Sequence, residues 1–197
     1  SFYRKYMGGS AMGMYYLLKN TPPGANPLGP ENTLCLMLSG ITGAAISGQS
    51  RITATAKSPE TDLVGDSQAG GFFPAELKRA GFDGIVIHGC ASKPLYLWVH
   101  HGQAELRPAD ALVGQFTADA EELIRAELKD QRIQVLQHGP AAEKGVLFGC
   151  LLNMSNRANG RTGMGTVMAS KNLRAIAVRG SKVPSPADPD TLKSLAK

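Results

Sequence analysis

Apolar residues in this chain fall into short blocks cut apart by glycine and proline, and most blocks have the length of a strand. TLCLMLSG (33–40) is a continuous apolar run, the pattern of a strand buried on both faces. RITATAKSP (51–59) alternates Ile52, Ala54 and Ala56 with Thr53, Thr55 and Lys57, which predicts a half-buried strand. GIVIHG (84–89), the stretches 132–137 and 146–152, and LRAIAVRG (173–180) supply further strands. PLYLWVHHGQAELRP (94–108) predicts a hairpin turning at His101–Gly102. Helical spacing is clearest in TADAEELIRAELKD (117–130), where Ala120, Leu123, Ile124 and Leu128 share a face and Asp119 with Glu122 suits a capping box. A second helix carries Tyr15 to Leu18, entered through Gly8–Gly9 and ended by the prolines of TPPGANPLGPEN. A third lies within 69–84, with Pro74 in its first turn and Gly81 at its end.

Strands outnumber helices and their order is irregular, so the pattern predicts an α+β domain rather than a doubly wound one. Segments 39–56 and 156–178 each combine a strand, a glycine-rich turn with an arginine, and a short strand. That echo suits a duplicated fold with a pseudo-two-fold axis. The tail, SKVPSPADPDTLKSLAK (181–197), is rich in proline and reads as a linker.

Composition changes this picture in three places. The 197 residues are enough to bury a core, and the 23 glycines exceed the average usage of about 7%. They stand in short motifs rather than repeats, which points to tight turns and close backbone approaches. The net charge is +5, but the basic residues are scattered and no Lys/Arg block sits beside aromatic residues. A locally basic pocket for a phosphate-bearing small molecule therefore fits better than nucleic acid. The three cysteines, Cys35, Cys90 and Cys150, have no CxxC spacing, so neither zinc nor an iron–sulfur cluster is encoded. Buried free thiols and a reducing, cytoplasmic setting are expected. No apolar run approaches the ~20 residues of a membrane span.

The glycine-rich stretch NRANGRTGMG (156–165) places Arg157 and Arg161 four apart. Planar guanidinium forks pair with oxyanions, and glycines let backbone N–H groups come close. A surface loop with two solvated arginines explains the same residues equally well. GRTGMG lacks the Gly-Lys-Ser/Thr of a phosphate-binding loop and opens no dinucleotide fingerprint. QAGGF (68–72) precedes a helix and could present N–H groups to an anion, or could simply turn. Arg51 opens an alternating strand. No carboxylate pair, metal-ligand spacing or nucleophile–base set stands out, and Glu121 with Glu122 reads as a solvated helix start.

Taken together, YMGGSAMGMYYLLK (6–19), NPLGPEN (26–32), SGITG (39–43), RITATAKSP (51–59), AGGFFPAELKRAGFDGIVIHG (69–89) and NRANGRTGMGTVMASKNLRAIAVRG (156–180) resemble the N-terminal domain of the aldehyde:ferredoxin oxidoreductase family. These are tungsten-pterin enzymes of anaerobes. The resemblance implies two β-sheets related by a pseudo-two-fold, with duplicated, intertwined halves and a few short helices. Such a domain is a base for two molybdopterins that hold one tungsten or molybdenum atom, with magnesium bridging their phosphates. The implied cofactor-binding residues are Arg51, Gln68, Gly70, Arg157, Ala158, Gly160 and Arg161, and backbone carbonyls of Gln68 and Ala158 reach the magnesium. Gln68 stands where the tungsten aldehyde enzymes usually have Asn, Met164 replaces a smaller apolar residue, and Pro74 replaces Gly or Ala.

The resemblance further implies that residues 1–182 form the cofactor-base domain, with its first strands preceding Ser1, and that 183–197 lead into helical domains. Those domains hold the 4Fe-4S cluster and the residues that handle substrate, so no catalytic residue is expected in this chain and the fragment alone is expected to be inactive. The full protein would oxidise an aldehyde to a carboxylate and pass electrons through the cluster to ferredoxin. Expected partners are the rest of its own chain, ferredoxin and a second copy in a homodimer, with neither nucleic acid nor membrane. A related reductase acting on another substrate, such as an aromatic ring on a thioester, and a stand-alone pterin-binding or structural module are the alternatives.

Overall fold

A computed structural model describes residues 1–196. Helices α1 (Phe2–Tyr6) and α2 (Gly9–Asn20) lead into strands β1 (Leu34–Met37), β2 (Ile52–Lys57) and β3 (Val64–Ala69), then helix α3 (Phe73–Arg79) and strand β4 (Gly84–Ile87). The hairpin β5 (Leu95–His100) and β6 (Gln103–Pro108) follows, then α4 (Thr117–Leu128), β7 (Gln134–Gln137), α5 (Pro140–Glu143), β8 (Leu151–Asn153) and β9 (Arg157–Asn159). Helix α6 (Met164–Ser170), strand β10 (Leu173–Arg179) and helix α7 (Pro189–Leu195) complete the chain.

The strands form two sheets, ordered β3-β2-β1-β4 and β6-β5-β10-β7-β8-β9. Setting aside the β5–β6 hairpin and the single-turn helix α5, both are the same unit: a helix, three antiparallel strands, a short helix and a closing strand that pairs antiparallel with the first. The registers match as well. One rung of the first sheet runs Gln68–Thr53–Met37–Gly84, and its counterpart runs Ala158–Leu152–Gln137–Ala175. After α3 and α6 the chain turns through left-handed residues at matching places, Gly81 (φ 101°) and Asn172 (φ 54°). The chain is thus an α+β duplication. From the turn onward the repeat aligns 71–89 with 162–180, whereas the sequence echo had set 39–56 against 156–178. It had matched glycine-rich turns, while the pairing matches strands.

One core lies between the sheets, built from Leu34, Leu36, Ile52 and Ala54 on one side, Leu136, Ile176 and Val178 on the other, and Phe73, Leu77, Val167 and Met168 from α3 and α6. Helix α4 covers the outer face of the second sheet through Ala120 and Ile124, and α1 with α2 covers the first through Phe2, Tyr6, Met12 and Tyr16. Burial of these apolar surfaces is the main favourable term in folding.

Several expectations change on contact with the packing. Strand β2 is buried on both faces, because α2 lies over the threonine side so closely that a methyl at Gly13 would stand 2.5 Å from Thr55 Oγ1. Strand β3 has no hydrophobic signal: its inward residues are Gly65, Ser67 and Ala69. Helix α4 starts at Thr117 with no side-chain cap, Leu123 is exposed, and Glu121 is buried instead, paired to Arg125 at 2.5 Å. Desolvation pushes the Glu121 carboxyl above the usual carboxylate range. Of the stretch 146–152 only Leu151 and Leu152 are in a strand, which ends at Asn153, since Gly149 turns onto α6 and its N–H donates to Thr166 Oγ1. The glycine-rich stretch after it is β9, a left-handed turn at Thr162–Gly163, and α6. Cys35 is buried, its thiol pushed up to about 12 by desolvation, but Cys90 is exposed.

Candidate functional site

The two sheets meet where edge strand β3 lies beside edge strand β9. No strand ladder joins them among the described residues, and side chains make the seam. Asn159, fully buried, donates through Nδ2 to the carbonyls of Ser67 (2.7 Å) and Ile52 (3.4 Å). Asn153 donates to the carbonyls of Gly70 (3.0 Å) and Arg157 (3.4 Å). The Arg161 N–H donates to Ser67 Oγ at 3.3 Å. Gly71 has a left-handed φ of 102°, and a side chain there would collide with Asn153 Oδ1. This position therefore requires glycine on both conformational and steric grounds.

A cavity of about 930 Å³ opens beside the seam. Arg51, Arg79, Arg132, Arg157 and Arg179 line it, with Glu76 the acid among its lining residues. Three of these arginines are already matched. Arg179 binds Glu76 and Asp130, Arg79 lies 3.5 Å from Glu76, and Arg132 binds Asp130. The guanidinium groups of Arg132, first, and Arg179 hold the Asp130 carboxyl well below the usual carboxylate range. Among the described residues no acidic side chain stands within ion-pair distance of Arg51 or Arg157. Two uncompensated guanidinium groups, one from each half, share one concavity; paired N–H forks of this kind suit a phosphate.

The expected site residues fall into two groups. Arg51, Gly70 and Arg157 line the cavity. Gln68, Ala158, Gly160 and Arg161 lie along the seam on β3, on β9 and in the turn after it. Gln68 and Ala158 occupy equivalent places on matching rungs of the two sheets. The helix-terminus reading of 68–72 is weaker than the sequence suggested. The Phe72 N–H is engaged by Met154 Sδ at 3.2 Å, and Glu76 sits in the first turn of α3. Arg79, Arg132 and Arg179 were not anticipated from sequence, nor were Asn153 and Asn159. Arg51, Arg132 and Arg179 all flank strand ends, a signal that could have been read; the buried asparagines gave none.

The family model for the aldehyde ferredoxin oxidoreductase N-terminal domain matches residues 1–180. The tungsten-containing aldehyde ferredoxin oxidoreductase of Pyrococcus abyssi is 40% identical over 181 residues, covering 92% of this chain and 30% of that protein. The WOR-like subunit of an aliphatic sulfonate oxidoreductase from Pyrococcus furiosus is 31% identical over 210 residues, covering 98% of this chain and 33% of that protein. Among solved structures, the active-site complex BamBC of benzoyl coenzyme A reductase, bound to 1,5-dienoyl-CoA, superposes with a TM-score of 0.95 at 32% identity, covering 98% of this chain and 30% of its own. The chain thus spans about 30% of the length of these relatives. No helix among the described residues is long and apolar enough to cross a membrane. With residues 1–180 matched by that model, the chain belongs to the aldehyde ferredoxin oxidoreductase family and carries its N-terminal domain.

Proposed function

We propose that this domain is the cofactor base of a tungsten- or molybdenum-pterin oxidoreductase, and that its seam and cavity receive the phosphate ends of two molybdopterins. The observation that carries the reading is the pair Arg51 and Arg157, two uncompensated cations from opposite halves lining one cavity. A pyranopterin phosphate fits this donor set by charge and by fork geometry. Arg51, Arg157 and Arg161 hold the phosphates, while Gly70 and Gly160 let the main chain approach. The main-chain carbonyls of Gln68 and Ala158 are the magnesium ligands in this reading, and their equivalent rungs suit a cation shared by two related halves. The bound metal supplies the redox and oxygen chemistry, and the protein binds and orients the pterins.

The whole protein, in this reading, oxidises aldehydes to carboxylates and passes electrons through a 4Fe-4S cluster to ferredoxin in a reducing cytoplasm. Residues 1–182 are the base and 183–197 begin the next domain. Among the described residues strand β4 has no outer neighbour and is half-buried, whereas β10 is covered by β5–β6 and is buried except at Arg179. A second reading, ring reduction on a thioester, draws on the 0.95 TM-score to the benzoyl coenzyme A reductase complex.

The test is elemental and pterin content of the full-length protein purified without oxygen, followed by turnover of aldehydes and of aryl thioesters. About two pterins per tungsten or molybdenum, with about four irons, is expected. Arg157→Ala and Arg161→Ala are expected to lose pterin while folding normally. Full pterin content in Arg157→Ala would sink the phosphate assignment, and full content in Arg161→Ala would remove Arg161 from it.

A further inference from the structure

The seam poses a positional problem that strand pairing does not solve. Arg51, Gln68 and Gly70 belong to the first half and Arg157, Ala158 and Gly160 to the second, yet no ladder fixes β3 against β9. We propose that Asn153 and Asn159 are positioning residues that set the two half-sites in register; this rests on the phosphate-site reading above.

Each asparagine bonds a carbonyl beside, or of, a residue that the site uses. Asn159 stands between Ala158 and Gly160 and holds Ser67 O, the carbonyl of the peptide whose nitrogen is Gln68's. Its second bond reaches Ile52 O, one residue after Arg51. One buried amide therefore ties Arg51 and Gln68 to Ala158 and Gly160. Asn153 holds Gly70 O and Arg157 O through a single Nδ2, fixing the glycine turn against the arginine. Asn153 Oδ1 also occupies the space over Gly71.

The two side chains carry a cost that plain packing would avoid. Both Oδ1 atoms are buried without a donor among the described residues. A leucine of similar size would remove the unpaired Oδ1 but would also take the side-chain donor from the carbonyls of Ser67 and Gly70. Asparagine is retained where its two N–H donors bridge separate backbones, and that bridge, not burial, is its distinct contribution. Local departures from the best core choice concentrate at functional sites.

The experiment uses the full-length protein with Asn159→Leu, Asn153→Leu, Arg157→Ala and, as a packing control, Leu136→Ala in β7, whose side chain lies in the shared core. Pterin and tungsten or molybdenum per chain are measured beside the melting temperature of each metal-free protein. Loss of at least five-fold in pterin content is expected for both asparagine variants and for Arg157→Ala. The Leu136→Ala protein, although at least as destabilised, keeps its pterin. If the asparagine variants stay loaded while Arg157→Ala is empty, the positioning role is overturned and the phosphate site stands. If Arg157→Ala stays loaded, the phosphate site fails and the inference with it. If Leu136→Ala empties as the asparagine variants do, loss of stability alone explains the result and the positioning role is overturned. Should Asn159→Leu not fold, Asn153→Leu decides on the same criteria.

Discussion

The two halves of this domain share topology and register but differ in what fills matching positions. The residue just before the closing strand's paired stretch is Asp83 in the first half and Arg174 in the second. Asp83 pairs with Lys78 at the surface, its side chain 54% exposed. Arg174 is buried, bound to Glu143, to Gln137 Oε1 and to the carbonyls of Leu112, His138 and Gln115. Position 38 is leucine, whereas its counterpart is His138, buried beside Arg174. A repeated backbone therefore tolerates an apolar core in one copy and a buried polar network in the other. The network anchors the loop from β6 to α4, which has no counterpart among the described residues of the first half.

Breaking that asymmetry should expose it most clearly at Arg174. Arg174→Met leaves Glu143 without its cation and four carbonyl or amide acceptors without a donor, and is expected to cost about 3–5 kcal/mol. The matching change, Asp83→Asn, removes a surface pair and should cost under about 1 kcal/mol. Urea unfolding of both variants measures the contrast, and equal losses would contradict it.

The second test is a pH titration of stability. Burial, and then the Arg174 charge, lower His138 from 6.5 to about 4. The unfolded chain thus takes up a proton near pH 6.5 that the folded protein refuses until about pH 4. Stability from this group is present above pH 6.5 and is lost as pH falls to 4, by about 3 kcal/mol in all. His138→Leu, which copies the first half, should flatten that interval. An unchanged slope would remove His138 as its source.

The smallest expected effect concerns the turn before the short helices. Gly71 and Thr162 occupy matching left-handed positions, with φ of 102° and 64°. At Gly71 the partner half crowds the backbone through Asn153, whereas Thr162 already carries a side chain, which rests against Gly65 of the first half. Gly71→Ala should cost about 1–3 kcal/mol, and Thr162→Gly should change stability by less than about 1 kcal/mol. Thermal melts of the two variants give the comparison.

Much of this fold could be read from periodicity. The apolar run at 33–40, the hairpin at 94–108 and the helix at 117–128 stand where alternation and helical spacing put them. Strand β3 could not be read, because its buried face carries Gly65, Ser67 and Ala69 and offers no hydrophobic contrast. The inward turn of Glu121 was equally hidden, since only the packed neighbour Arg125 makes its burial tolerable. At the site, Arg51 and Arg157 were legible by residue type, but their shared cavity depends on a fold that brings residues about a hundred positions apart together. Asn153 and Asn159 were illegible: a buried asparagine declares itself only when the carbonyls it binds are known.

Matching rungs place Gln68 and Ala158, two side chains with no chemistry in common, at the same address in the two halves. What such an address can offer a ligand equally from both sides is its peptide group. A site drawn from peptide groups can drift in its lettering without drifting in its function. If the proposed site holds, a saturation screen finds positions 68 and 158 permissive to most residues and closed to proline, and a search by residue identity would pass over main-chain ligands of this kind.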